Sequence, residues 1–142
     1  MDEALRQLVW DRAHQMCEYC LLPFGCTRTP FEIDHIVSQK HRGKTVPNNL
    51  ALACFYCNSY KGPNLSGIDP SSAKLVGLFN PRRHKWSVHF AWNNAVLIGK
   101  TSIGRATIEV LQINHPDAIA ARASLIEESV FPPPSPPRIS LA

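Results

Sequence analysis

The sequence of 142 residues contains no long apolar run, so it offers no candidate for a membrane-spanning helix. Its N-terminal segment has early acidic residues, Asp2 and Glu3, and no continuous apolar stretch, which is unlike a secretory signal peptide. We find no internal repeats. These absences predict a cytoplasmic protein that has no membrane partner.

The sequence also has a small share of charged residues and a small net charge. Charged residues make up 18% of the chain and hydrophobic residues 44%, which is ordinary for a globular protein. The formal net charge of +4 suits a polyanionic partner such as nucleic acid without requiring one. The length predicts a single domain, which we place at 1–130. The Pro-rich remainder, 131–142, is predicted to be a disordered, polyproline-like tail.

Cysteine is limited to five residues, and this odd number excludes a framework in which every cysteine is paired in a disulfide. Four of them form two Cys-x-x-Cys pairs, Cys17/Cys20 and Cys54/Cys57. Two such turns can complete a tetrahedral all-cysteine site, so we predict a structural Zn²⁺ site, because four thiolates leave no open position for water. The alternatives are four free buried cysteines or a thiol redox pair. Cys26 stands outside the pattern and is interpreted as a spare loop thiol.

The apolar spacing and the Pro and Gly breakers predict a mixed α+β chain. Helices are predicted at 3–16, from the second cysteine pair to Gly62, at 101–113 and at 115–129. Strands are predicted at 31–37, 50–53, 74–79, 86–92 and 95–99. The last two strands flank an Asn-Asn turn and are expected to pair as a hairpin. Trp86, Phe90 and Trp92 are expected to lie on one strand face and to serve as core.

An aspartate and a histidine, Asp34 and His35, stand side by side in the short apolar run E-I-D-H-I-V. A neutral imidazole can take a proton from water, and a carboxylate can hold a hard cation such as Mg²⁺, which prefers oxygen ligands. Asn58 directly follows the second cysteine pair, so zinc would hold its amide close to the hairpin. Asn49 could hydrogen-bond the hairpin backbone and keep His35 in orientation.

The segments C-E-Y-C, E-I-D-H-I-V and N-L-A-L-A-C-F-Y-C-N-S-Y-K-G, in this order, resemble the HNH endonucleases with their ββα-metal motif. The resemblance spans residues 17–62. It implies a small zinc-stapled ββα-metal module of the α+β class, with its core motif at 17–62 and a C-terminal extension of strands and helices at 63–130. It also implies hydrolysis of phosphodiester bonds in nucleic acid, which we expect to be DNA.

The resemblance further implies a role for each residue of the motif. His35 is the general base that activates water for attack on phosphorus. Asp34 and Asn58 are ligands of one divalent cation, Mg²⁺ or Mn²⁺, which stabilises the charge of the transition state. Asn49 orients the hairpin and His35.

Three further residues are candidate substrate contacts: His41, Arg42 and Lys61. Arg42 stands where relatives often carry a glycine, and it either adds a phosphate contact or signals a relaxed loop. Lys61 either touches a phosphate or favours the C-terminus of a helix. The basic cluster at 82–85 either grips a nucleic-acid backbone or forms a solvated turn.

The rival interpretation is a non-catalytic, zinc-stabilised module that binds nucleic acid or a partner protein. The enzyme is favoured because a competent residue fills every catalytic position of the motif. The sequence is compatible with a monomer and with a homodimer.

Overall fold

Helices and strands intermix along residues 1–133, the part of the chain that this computed structural model describes. The helices are α1 (Glu3–Arg12), α2 (Phe55–Lys61), α3 (Trp86–His89), α4 (Ser102–Val110) and α5 (Pro116–Glu127). The strands are β1 (Phe31–His35), β2 (Leu50–Cys54), β3 (Ser66–Ile68), β4 (Leu75–Gly77), β5 (Phe90–Asn93) and β6 (Val96–Gly99). Over these residues the strands form three two-stranded sheets, each antiparallel and each made of consecutive strands. The fold is of the α+β class that the sequence predicted.

Strands β1 and β2 and helix α2 form the predicted ββα unit, which follows the first cysteine pair and contains the second. The register sets Phe31 opposite Cys54 and His35 opposite Leu50. Every residue of β2 is buried, whereas exposure varies along β1. The Cys54 side chain caps α2 by accepting a hydrogen bond from the backbone N–H of Cys57 at 3.4 Å. The second cysteine pair therefore lies at the junction of β2 and α2.

Helix α1 is shorter than its apolar spacing predicted, by about one turn. It ends at Arg12. Shortly after it, His14 and Gln15 have φ angles of +53° and +58°. These left-handed conformations cannot continue a right-handed helix. The Arg12 guanidinium donates to the carbonyls of Pro47 and Leu50 at 2.6 Å each, which ties the end of α1 to the start of β2.

The strand predicted at 86–92 is wrong in its first half, because residues 86–89 form the short helix α3. Trp86 and Phe90 are thus one helical turn apart, with ring centroids 5.2 Å apart, and Trp92 lies 6.0 Å from Trp86. Trp86 and Phe90 are buried. The predicted core role is confirmed, although a helical turn rather than strand alternation brings the rings together.

Several other elements agree with the sequence. Strands β5 and β6 pair as the predicted hairpin, and the Thr101 hydroxyl caps α4. Pro116 lies in the first turn of α5, as expected. The β3–β4 hairpin was not predicted, since its first strand lies in a turn-rich segment. It is held to α4 by Asp69, whose carboxylate oxygens accept from the Arg105 guanidinium at 2.8 and 3.0 Å.

The core is one contiguous cluster of buried apolar side chains that includes both cysteine pairs. Phe131 belongs to it, with its ring 5.0 Å from that of Trp92. The rest of the predicted tail, 134–142, lies outside the described residues. None of the helices within 1–133 combines the length and the apolar character needed to cross a bilayer.

Candidate active site and metal centre

Four buried cysteines converge where the first Cys-x-x-Cys turn meets the junction of β2 and α2. The sulfurs of Cys17, Cys20, Cys54 and Cys57 lie within 4.8 Å of one another, and the Cys20 and Cys54 sulfurs are 3.8 Å apart. A tetrahedron with zinc–sulfur bonds of about 2.3 Å has sulfur–sulfur edges of about 3.8 Å. The cluster therefore fits the predicted structural zinc ion. Cys26 lies outside it and is half-buried.

Hydrogen bonds within the cluster shift the pKa values of three of the thiols in different directions. Hydrogen bonds from Cys17 and its neighbours hold the pKa of Cys54 far below its usual range. Hydrogen bonding to Cys17 and Cys54 raises the pKa of Cys20, and hydrogen bonding to Cys17, Cys20 and Cys54 raises the pKa of Cys57. A zinc ion bound here would release the thiol protons, because the thiolate is the ligand.

A buried arginine from α5 lies beside the cysteine cluster. Arg122 lines a cavity of about 290 Å³ together with Cys20 and Cys57, and its guanidinium carbon is 5.2 Å from the centre of the Trp92 ring. Burial lowers the pKa of Arg122, and the charge of the nearby cysteines opposes this change. A zinc ion with four thiolates carries a net charge of −2, so the guanidinium offsets charge in a buried place.

The two residues inside the first Cys-x-x-Cys turn connect the cysteine cluster to the ββα unit. The Tyr19 hydroxyl donates to the Asp34 carboxylate at 2.7 Å. The Glu18 carboxylate accepts from the backbone N–H of Leu52 at 2.9 Å and forms an ion pair with Arg82. All these side chains are buried. Sequence reasoning missed both roles, since nothing in the local pattern marks Glu18 or Tyr19 as buried.

The basic cluster at 82–85 is divided between core and surface. Arg82 is only 4% exposed and pairs with Glu18, so neither of the two roles weighed for the cluster applies to it. Arg83 and Lys85 are exposed and remain candidates for contact with solvent or phosphate.

Asp34 and Lys61 form a buried ion pair that joins β1 to the end of α2. Their exposed fractions are 5% and 2%, and the Lys61 ammonium nitrogen lies 3.2 and 3.0 Å from the two carboxylate oxygens. The ammonium group also donates to the carbonyls of His35 at 3.3 Å and Ile36 at 3.0 Å. Burial raises the pKa of Asp34, and the charge of Lys61 opposes the rise.

This pair gives Lys61 a role that differs from the predicted phosphate contact, because its ammonium group is enclosed by Asp34 and two carbonyls. The ion pair also limits how Asp34 and Asn58, the predicted cation ligands, could bind a divalent cation. Both oxygens of Asp34 are engaged, so a divalent cation there would have to displace the Lys61 ammonium group. The Asn58 side chain makes no hydrogen bond within the described residues, which leaves its amide oxygen free. The two residues do not form an open cation site in this conformation.

His35 points away from Asp34, as strand alternation requires. Its ring is half-buried at the end of β1, and Nε2 lies 2.9 Å from the hydroxyl oxygen of Thr45. Nδ1 has no hydrogen-bond partner among residues 1–133. The predicted general base thus has one ring nitrogen held and the other unengaged. Thr45 was not among the residues that the sequence singled out.

Asn49 closes the loop that follows β1, residues 38–46. Its amide oxygen accepts from the Val37 N–H at 2.9 Å, and its amide nitrogen donates to the carbonyls of Val37 and Lys44 at 3.0 and 2.9 Å. These are contacts with the hairpin backbone of the kind expected for the middle residue of the motif. His41 and Arg42 are exposed in the same loop.

Residues 17–64 match the family model of the HNH endonucleases. This segment is an HNH domain. The match includes both cysteine pairs and the four motif residues, Asp34, His35, Asn49 and Asn58. It confirms the family resemblance that the sequence indicated. The HNH domain also contains the whole ββα unit described above.

The chain is similar to the Septu protein PtuB of Bacillus thuringiensis, with 27% identity over 118 residues. The aligned part covers 82% of this chain and 43% of that relative, so the chain spans less than half of the relative's length. The aligned part is longer than the HNH domain, and the likeness therefore includes sequence outside it. No solved structure matches the chain.

We predict that Lys61→Met lowers the free energy of unfolding by about 3–5 kcal/mol, because it leaves the Asp34 carboxylate buried without its cation. Denaturant unfolding of the zinc-loaded protein measures the loss. Lys74→Met is the matched control, since Lys74 is exposed, and it should change stability by less than about 0.5 kcal/mol. Equal stability of Lys61→Met and wild type would contradict the role given to the pair.

Proposed function

We propose that this protein is a divalent-metal-dependent nuclease that hydrolyses phosphodiester bonds, with DNA as its substrate. One observation carries the proposal: the HNH domain presents the His35 ring at the edge of the protein with Nδ1 unengaged among the described residues. A neutral imidazole nitrogen in this state can take the proton of a water molecule that attacks phosphorus. His35 is therefore assigned as the general base.

The other motif residues support His35. Asn49 holds the loop that follows β1, and so keeps its backbone in place. Mg²⁺ or Mn²⁺, when bound, supplies the positive charge that offsets the charge building up on the phosphate. The Asn58 amide oxygen is the donor available to such an ion. Asp34 is available to the ion only after the Lys61 ammonium group has moved away.

The charge of the loop at 38–46 supports nucleic acid as the substrate. Four exposed basic or potentially basic side chains lie in it: Lys40, His41, Arg42 and Lys44. The loop is joined to His35 through Thr45, so its positive charge lies close to the proposed base. Lysine and arginine side chains of this kind bind phosphates and release counterions.

Arg42 gives a second reason to assign the loop to substrate binding. It has a φ angle of +67°, in the left-handed region where glycine is favoured. A side chain in this conformation costs on the order of 1 kcal/mol. An arginine at such a position can make a phosphate contact that a glycine could not make.

The competing proposal, a non-catalytic binding module, also explains the basic loop. It does not explain why an imidazole with an unengaged nitrogen lies beside that loop. We propose further that the protein acts in the cytoplasm as a monomer or homodimer.

Cleavage of supercoiled plasmid DNA with Mg²⁺ or Mn²⁺ tests the function. Wild type should nick or linearise the plasmid, and His35→Ala should reduce the rate at least about a hundredfold, because the general base is lost. His14→Ala is the matched control, since His14 is exposed outside the motif, and it should cleave like wild type. The metal-free reaction omits the divalent cation, because EDTA would extract zinc as well.

Two outcomes would contradict the proposal. One is the absence of cleavage of DNA by a folded, zinc-loaded wild type with every divalent cation tried. The other is undiminished cleavage by His35→Ala.

A second prediction concerns Arg42. Arg42→Gly should weaken DNA binding and lower the slope of log Kobs against log salt by about 0.9, the value for one lost phosphate contact. Its thermal stability should stay close to that of wild type, because glycine relieves the left-handed strain but gains entropy in the unfolded chain.

Lys74→Ala, in the loop between β3 and β4, is the control and should leave the slope unchanged. Fluorescence anisotropy with a labelled duplex at several salt concentrations gives both quantities. An Arg42→Gly slope equal to that of wild type would show that Arg42 contacts no phosphate.

A further inference from the structure

His35 has a hydrogen-bond partner outside the motif. The Thr45 hydroxyl oxygen lies 2.9 Å from Nε2, ten residues along the chain and across the loop that follows β1. Within residues 1–133, this is the hydrogen bond that holds the His35 ring. An imidazole in a half-open site needs such a partner, because its ring otherwise turns freely and its two nitrogens exchange roles.

The loop geometry explains why Thr45 reaches His35. Asn49 binds the carbonyl of Lys44, the residue before Thr45, and also both backbone groups of Val37. Gly43 packs so closely that a Cβ atom there would lie 1.6 Å from the Val37 carbonyl oxygen. Only glycine permits this approach, and the approach folds the loop back toward the end of β1. Thr45 is thus held by a backbone that is itself tied to the strand carrying His35.

The direction of this hydrogen bond decides which ring nitrogen is basic. In a neutral imidazole one nitrogen carries the hydrogen and the other has the lone pair. If Nε2 donates its hydrogen to the Thr45 oxygen, Nδ1 keeps its lone pair. If the hydroxyl donates to Nε2 instead, Nδ1 carries the hydrogen and cannot accept a proton from water.

We propose that Thr45 is a positioning residue for His35: its hydroxyl oxygen accepts the Nε2 hydrogen, fixes the ring, and leaves Nδ1 as the basic nitrogen. This inference rests on the proposed nuclease function, because it assigns the nitrogen that receives the proton of the attacking water. The threonine takes no part in the bond-making step. Its role resembles that of the groups that orient a histidine in other hydrolytic sites.

The test compares Thr45→Val, Thr45→Ser and wild type. Valine keeps the shape of threonine and removes the hydroxyl, whereas serine keeps the hydroxyl. Thr29→Val is the matched control, because the Thr29 hydroxyl bonds Thr27 rather than a histidine. Long-range ¹H–¹⁵N correlation spectra of the imidazole rings, recorded on zinc-loaded protein without a second metal, show which nitrogen of His35 carries the hydrogen. Plasmid cleavage gives kcat and KM, and thermal unfolding gives Tm.

We expect the His35 signal of wild type and Thr45→Ser to show hydrogen on Nε2, and that of Thr45→Val to show exchange between the two forms. The kcat of Thr45→Val should fall about ten- to a hundredfold, with KM and Tm close to wild type and most of kcat restored in Thr45→Ser. Thr29→Val should match wild type in every readout.

The possible failures are distinguishable. Hydrogen on Nδ1 in wild type, or a Thr45→Val variant with wild-type kcat and an unchanged spectrum, would overturn the role of Thr45 while leaving the nuclease proposal intact. A wild type that cleaves nothing, but whose His35 signal depends on the Thr45 hydroxyl as expected, would overturn the nuclease proposal and leave the positioning contact standing.

Discussion

The cysteine cluster is the constraint on which the rest of the HNH domain depends. It joins the turn before β1 to the junction of β2 and α2, so it closes both ends of the β1–β2 hairpin in a unit with only two strands and one short helix. A unit of this size buries little apolar surface and needs a staple. The turn that carries the first two cysteines also contacts β1 through a side chain. Tyr19, between the first two cysteines, binds Asp34, and Asp34 binds Lys61 at the end of α2. A buried polar network thus ties the turn that carries Cys17 and Cys20 to the ββα unit.

Because side chains alternate along β1, the neighbours Asp34 and His35 point to opposite faces and have different roles. Asp34 faces the interior, where Tyr19 and Lys61 satisfy its carboxylate, and His35 faces the loop that carries the basic side chains. The Lys61 ammonium group binds the carbonyls of His35 and Ile36, so the buried pair also holds the backbone beneath the proposed base. The Asp34–Lys61 pair therefore fixes the backbone that carries His35. Rigid placement matters because a general base works only within hydrogen-bond reach of its proton.

The sequence predicted the features that rest on local spacing or on short motifs. Two Cys-x-x-Cys pairs predicted the tetrahedral cluster, and the ordered motif predicted the ββα unit and its position. It did not predict contacts that depend on chain segments meeting in space. The burial of Lys61 could not be read from a lysine at a helix end, because only the fold brings Asp34 and two carbonyls to it. Thr45 was missed for the same reason, since its distance from His35 is set by the closed loop. The helical turn at 86–89 was missed because aromatic spacing suited strand and helix alike.

The most direct test of this account is hydrogen exchange of the backbone amides with and without zinc. If the metal clamp organises the site, removal of zinc should abolish the slow exchange of β1, β2 and α2 together, and readdition of one equivalent should restore it. The amides of the β5–β6 hairpin show whether the loss is confined to the HNH domain or includes the C-terminal part. If β1, β2 and α2 keep their protection in zinc-free protein, the clamp does not hold the unit, and the central claim is wrong.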